Sequence, residues 1–365
     1  MKVLHINSTI GKNSGVMSVI MNYYRNIDKD RIQFDFLYFL QSLFGYKTYE
    51  SEIVKMGGRV YYFDNFKRII TFNRNLDVLL KENKYEAVHI HDPFVLRLIY
   101  KTLRKKGIKN IIVHSHATRW SDKVLSCIRN KLLCFGFGHL IDYPFACSKA
   151  AGEFLYKKRS FFVMNNAINI DNYRFCEKSR EIIQEKYKLK NKIVFAHVGN
   201  FCKQKNHAFL IDIFQEITYR EPNAILIMIG DGILRHEIER KVEKYSLSDK
   251  VIFLGKRNDV EKYYSVMDCM ILPSLYEGLP MVGVEGQCNG IPFVFSDNVT
   301  REVGCSFSRF LSLEDDQPCV WAENALELAN VKWDRGNAVN EISSMGFSIS
   351  KEVLKVQKKY LEMIE

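Results

Sequence analysis

Apolar positions along the chain fall into short continuous runs separated by longer stretches where they recur every three or four residues. In the front half, β-branched and aromatic runs occupy 2–7, 33–39, 59–63, 87–91, 110–114 and 143–147. Between them the helical period predicts helices over 16–25, 70–81, 95–105 and 123–134. Runs without polar alternation are what strands covered on both faces require. The pattern therefore predicts βαβ units around a parallel sheet. The polar, turn-rich segment NNAINIDNYRF, residues 165–175, interrupts it and reads as a connector. Beyond, strands are expected at 193–197, 224–229, 251–254, 269–272 and 293–295, with helices at 207–219, 234–245, 260–266 and 281–289. The tail, 350–365, is helical by the spacing of Val353, Leu354, Val356, Tyr360, Leu361 and Ile364.

The fold class this predicts is α/β, with two doubly wound, Rossmann-like domains. Their bounds are 1–168 and 169–348, and the tail helix 349–365 is expected to pack back on the first. A chain of 365 residues suits two domains of ordinary size.

Composition is that of a globular protein, 47% apolar and 26% charged. Charge changes the picture more. Residues 1–170 hold 27 Lys or Arg against 13 Asp or Glu, net +14; the remainder holds 26 against 29, net −3. The whole basic excess lies in the front half, much of it in Arg97, Lys101, Arg104, Lys105, Lys106 and Lys109 and then Arg119, Lys123, Arg129 and Lys131. Such a surface suits an anionic partner, although a solvated helix face would look the same. Nine cysteines, an odd number with no C-x-x-C, fit neither a disulfide framework nor a structural zinc site, and point to a reducing compartment. The start, MKVLHIN, enters a strand directly, so no secretory signal is expected. The longest apolar stretch, 132–146, is broken by Gly136, Gly138, His139 and Asp142, so no spanning helix is expected.

Five strings offer chemistry. In LPSLYEGLPMVGVEGQCNGIP, residues 272–292, a strand ends and a helix begins, with Pro280 suited to its first turn. The helix start near Gly278, Leu279, Met281 and Val282 suits an anion or sugar hydroxyls. Glu277 in the entry loop and Glu285 in the helix would face a ligand across the strand ends; the plain alternative is a dipole-serving Glu and a solvated one. In HVGNFCKQKNH, residues 197–207, Gly199 ends a strand and Lys205 stands before a helix, a diphosphate-type arrangement that is weak alone. IGDG, with Gly230, lets a ligand approach the backbone, as does any tight strand–helix turn. IGKNSGV, with Gly15, is no dinucleotide fingerprint but suits a loop over phosphates. IIVHSHATR places His114 and His116 on one strand face. A metal there lacks an obvious third ligand. Asp28-Lys29-Asp30 reads as a helix-end turn rather than a metal motif.

Together these strings resemble retaining glycosyltransferases of family four, which have the GT-B fold with two Rossmann-like domains facing across a cleft. The resemblance is strongest over 195–302, and Glu277-x7-Glu285 is its signature pair. FDFLYF and MGGRVYYF in the front half are similar to the branch serving bacterial capsule, exopolysaccharide and O-antigen synthesis. The resemblance implies that Glu285 binds the donor ribose. Glu277, with the amides of Gly278, Leu279 and Met281, would hold the donor sugar, and Val282 would join them. Lys205 would neutralise the diphosphate. The loop 255–258, which includes Gly255 and Arg257, would flank the base, and Gly15, Gly199, Asn200 and Gly230 would be donor-binding positions. His116 or His114 would sit near the sugar. No metal and no cofactor is implied. One departure stands out: Asn200 occupies the place of a usual Arg, removing one charge from the diphosphate site.

The expected function is transfer of a sugar from a nucleotide diphosphate sugar, UDP above others, to a lipid-diphosphate-linked saccharide, with retention. The expected location is the cytoplasm, peripherally on the inner face of a bacterial membrane with anionic lipid, and no nucleic acid partner is expected. The alternatives are a GT-B nucleotide-sugar epimerase, which needs no acceptor, and a basic nucleic-acid-binding protein, which the sequence supports with no motif.

Overall fold

The structure, a computed structural model, describes residues 1–12, 14–40, 47–64, 68–121, 124–331 and 334–365. Asn13 of the IGKNSGV string and Lys123, where the fourth helix was expected to begin, lie outside the described residues. The chain divides into two units, Met1–Ile168 with Ser348–Glu365, and Asn169–Phe347.

The first unit runs β1 (Lys2–Asn7), α1 (Gly15–Asn26), β2 (Gln33–Tyr38), α2 (Glu50–Lys55), β3 (Val60–Tyr62), α3 (Ile69–Glu82), β4 (Ala87–Ile90), α4 (Val95–Lys105), β5 (Asn110–Ser115), α5 (Val124–Cys134), β6 (Tyr143–Ala146), α6 (Lys149–Tyr156) and β7 (Phe162–Val163). Its strands pair in parallel in the order β3-β2-β1-β4-β5-β6-β7. The apolar runs fill the centre: Leu4, Ile6, Val88, Ile90, Ile111 and Val113 are buried against Phe72, Leu76, Ile99 and Leu103 of α3 and α4. Ser14 caps α1, its Oγ accepting from the Met17 N–H at 3.3 Å.

The second unit runs α7 (Glu177–Tyr187), β8 (Ile193–Val198), α8 (His207–Arg220), β9 (Ala224–Ile229), α9 (Arg235–Lys244), β10 (Val251–Gly255), α10 (Glu261–Tyr264), β11 (Cys269–Leu272), α11 (Met281–Cys288), β12 (Phe293–Ser296), β13 (Ser308–Leu311), α12 (Pro318–Asn330) and α13 (Ala338–Ser344). Its sheet is also parallel, in the order β10-β9-β8-β11-β12-β13. A separate core of Phe195, Leu210, Phe214, Leu226, Ile271 and Trp321 holds it. In both sheets the strand order turns back on itself, between β1 and β4 and between β8 and β11. Ligands of open α/β sheets bind outside the strand carboxyl ends at such switch points.

The last helix, α14 (Ile349–Leu361), belongs to the first unit. Its buried side is Ile349, Val353, Val356 and Tyr360. Leu354 and Ile364 are 65% and 46% exposed, because the inward stripe follows Val356 and Tyr360. Tyr360 anchors it, its hydroxyl 2.6 Å from His89 Nδ1.

Three further expectations are corrected. Pro280 is the residue before α11, extended at φ −71 and ψ 119, rather than in its first turn. The helix expected over 260–266 is a single turn, Glu261–Tyr264. The basic run on α4 is partly neutralised: Arg104 pairs with Asp142 and Lys106 with Asp77, each at 2.8 Å.

Candidate functional site

In the second unit, the ends of β8, β9 and β10 are laced together by glycines. The Gly199 N–H donates to Ile229 O and the Gly230 N–H to Gly255 O, both at 2.9 Å. Gly230 has φ +145, and a Cβ there would lie 1.9 Å from Gly199 O, so no other residue fits. Gly255 also has positive φ, +64. Asn200 follows, exposed. The chain then makes a short 3-10 turn, Lys203–Lys205, and enters α8 through Asn206 in the left-handed conformation, φ 53.

That turn aims Lys205 at the loop after β11, across the switch point. Lys205 Nζ pairs with Glu277 Oε1 at 2.6 Å, with side chains 15% and 10% exposed. Gln204 Nε2 donates to Glu277 Oε2 at 3.2 Å and to Tyr276 O at 3.0 Å. The Leu275 N–H donates to Gln204 O at 2.8 Å, stitching the two loops. Two groups separated by 72 residues are thus held in one place. Gly278 and Leu279 lie buried beside Glu277, and α11 begins at Met281. The first bond from a helical amide reaches from the Gly283 N–H to Pro280 O. The Met281 and Val282 amides, just before it in the first turn, therefore have no acceptor within the helix and suit an anion.

Glu285 is on the inner side of α11, not on a solvated face. Tyr264 OH donates to its Oε2 at 2.7 Å, and Tyr173 adds a second hydrogen bond. Burial pushes its carboxyl up, against the pull of both tyrosines. Arg257 turns to its own loop, held by Asp259 through two bonds of 2.9 Å and lying over the Tyr263 ring. One residue the sequence reading passed over also lies here. His197 Nδ1 donates to Ile271 O at 2.8 Å, so its buried Nε2 holds a lone pair, unpartnered, beside Gly199 and Lys205. Burial draws this imidazole down to about 4.

The first unit has its own cluster. His114 and His116 do share a face, rings stacked at 3.9 Å. They are part of a ladder that the sequence reading missed. His116 Nε2 and His5 Nδ1 each lie 2.9 Å from a nitrogen of His91, and His114 Nδ1 lies 3.2 Å from His89 Nε2. The repeated H-x-H of 89–91 and 114–116, on adjacent parallel strands, was the available signal. Burial is the first cause drawing every ring of the ladder below the ordinary histidine range. The missing third metal ligand is therefore present: His91, His114 and His116 bring nitrogens within 4.8 Å, as do His5, His89 and His91. The geometry still favours hydrogen bonding. The stacked rings of His114 and His116, tilted by only 21°, send their in-plane lone pairs along parallel lines, and both nitrogens of His91 are engaged.

His91 and His116 open onto a cavity of about 220 Å³ that is also lined by Asn7, Ser8, Asp92 and Trp120. The Ser8 N–H donates to Asp92 Oδ2 at 2.6 Å, and burial pushes this carboxyl up to about 6. Gly15, at the head of α1, is flanked by Ser14 and Val16 of the same cavity wall.

Residues 179–303 match the family of glycosyl transferases group 1. The chain is 29% identical to the putative glycosyltransferase EpsF of Bacillus subtilis, over 96% of this chain and 94% of that one. It is 25% identical to the UDP-Gal:alpha-D-GlcNAc-diphosphoundecaprenol alpha-1,3-galactosyltransferase of Escherichia coli, over 78% of each. Among solved structures, HepE of Anabaena in complex with UDP superposes with a TM-score of 0.78 at 16% identity, covering 99% of this chain and 100% of that one.

Proposed function

We propose that this chain, a GT-B glycosyltransferase of group 1, is a retaining enzyme of family four that moves a sugar from a nucleotide diphosphate, UDP foremost, to a lipid-linked saccharide in surface polysaccharide synthesis. The observation that carries the reading is the Lys205–Glu277 contact at the switch point, framed by Gly199, Gly230 and Gly255. The names of the relatives support the chemistry: one acts on a diphosphoundecaprenol-linked sugar, and a structural neighbour holds UDP.

In this reading the diphosphate enters beside Lys205 and shares its charge with Glu277. The amides opening α11 meet the same anion. As the C1–O bond to the diphosphate breaks, Lys205 offsets the charge gathering on the leaving oxygen. The acceptor hydroxyl forms the new C1–O bond on the same face, and its proton passes to the departing diphosphate. Glu277 holds the sugar hydroxyls and Glu285 the ribose. No metal is needed, because Lys205 and the amides opening α11 do that work. The acceptor is a lipid-linked saccharide met at the inner face of a bacterial membrane; no helix among the described residues is long and apolar enough to cross one.

The test is UDP release and product anomer for purified protein on a panel of UDP-sugars. Transfer with retention, unchanged by a chelator, is expected, and Glu277→Gln should lower turnover by about a hundredfold or more. Wild type and Glu277→Gln with the same negligible rate on every donor would refute the reading.

A further inference from the structure

The first unit carries an apolar surface that its fold does not use. In α5 the inward side is Cys127, Asn130, Leu133 and Cys134, all buried or half-buried. The outward side is as apolar: Val124, Leu125, Ile128 and Leu132 are 73, 83, 52 and 68% exposed, and Phe135, just past the helix, is 80% exposed. At the helical period these five share one face. A contiguous stripe of large exposed apolar side chains marks an interaction surface.

The stripe is fixed in place. Arg97 of α4 donates from Nε to Leu133 O at 2.8 Å and from a terminal nitrogen to Phe135 O, holding the helix end. By helical position Arg129 borders the stripe on one side and Lys131 on the other. The helix has no acid, and from Pro93 to Ile141 the sequence holds ten Lys or Arg against one acid, Asp122. Its inward side matters as well, because Asn130 and Cys134 line the cavity that holds His91, Asp92 and His116.

We propose that α5 is a membrane-docking helix, whose Leu125, Ile128, Leu132 and Phe135 insert at the headgroup boundary of an anionic bilayer while the cations beside them meet lipid phosphates. Apolar insertion flanked by cations is the chemistry of an interfacial helix. A second copy fits the same face poorly, because a symmetric contact would set this cation-rich border against itself. Docking would bring the cavity behind α5 to headgroup level, where a lipid-linked diphosphate saccharide is presented. Only that last step rests on the transferase reading; the docking does not.

The test is flotation of the full chain with phosphatidylcholine vesicles, with and without phosphatidylglycerol, for wild type and for the combined variant Leu125→Ser, Ile128→Ser, Leu132→Ser and Phe135→Ser. Wild type should float with anionic vesicles, and less in high salt. The variant should lose at least about tenfold in partitioning while melting close to wild type, since each replaced side chain is more than half exposed. A single Leu132→Trp chain, read as the difference from wild type, should gain blue-shifted emission on anionic vesicles that brominated lipid quenches. Undiminished flotation of the combined variant, unshifted emission from the Leu132→Trp chain, or a wild-type dimer that the variant converts to monomer would each overturn the proposal. UDP release, measured in parallel without vesicles, separates the two claims: its absence speaks against the transferase and leaves the flotation result standing.

Discussion

Lys205 and Glu277 are each other's partners before any ligand arrives, and both are largely withdrawn from water. Removing one member of such a pair leaves the other charge uncompensated, which costs up to about 3 kcal/mol. Lys205→Met and Glu277→Leu should each destabilise by a few kcal/mol in urea unfolding, and the double variant by less than their sum. Strict additivity would show that the two do not act as a pair. This site was legible because its residues sit in one recognisable string each, and strand ends are where parallel sheets bind ligands. Asp92 was not legible: nothing in HIHDPF announces that its carboxyl will close against the Ser8 amide. Its pKa is raised by burial to about 6 from 3.8, so the folded state prefers the protonated form. Stability from this group is present at acid pH and lost as pH rises through about 6. The cavity wall leaves the carboxylate part of its hydration. Asp92→Asn should therefore stabilise by roughly 1–2 kcal/mol at pH 8 and by little at pH 4. Equal gains at both pH values would remove the buried charge as the cause.

Among the elements, the central strands were readable end to end, because a strand buried on both faces can contain little but apolar residues. β9 and β11 fall on their expected residues. The edge strands β7 and β13, two and four residues long, were missed, as was α7, whose sequence EKSREIIQEKY offers only Ile183 to the core. Such pieces take their order from what they pack against, which periodicity cannot register. α5 was anticipated as a helix, but its period could not say that both sides are apolar and only one is covered. The join between β9 and α9 is the most sharply tested element. Gly230→Ala would place a Cβ against Gly199 O in a backbone conformation that side chains avoid. It should cost about 1–3 kcal/mol and part β8 from β9 at their carboxyl ends. UDP should then raise the melting temperature less than it does for wild type. A full UDP shift in the variant would mean that the nucleotide does not sit on these glycines.

For the whole molecule the two units differ in what they bury as well as in charge. The first hides His5, His89, His91 and His114, the second His197 and His207. All six have imidazoles drawn below the ordinary range chiefly by burial. In the folded state they stay neutral, whereas in the unfolded chain they take up protons below about pH 6.5. The unfolded state then binds more protons, so stability is complete above that pH and falls as the pH drops toward each folded value. Each neutral buried imidazole adds up to about 1.4 kcal/mol per pH unit. Asp92 opposes this, but as one group over a narrower window. The first unit, with five such rings once His116 is counted, against two, should lose stability faster on acidification. Calorimetry from pH 7 down to pH 5 should show its transition moving to lower temperature more steeply than that of residues 169–347. Tyr360→Phe identifies which transition is which. It removes the hydroxyl that meets His89 Nδ1, which costs about 1–3 kcal/mol at pH 7, and it should move the first unit's transition alone. Two transitions shifting in parallel with pH would mean that the histidine ladder is not what sets the acid limit of this fold.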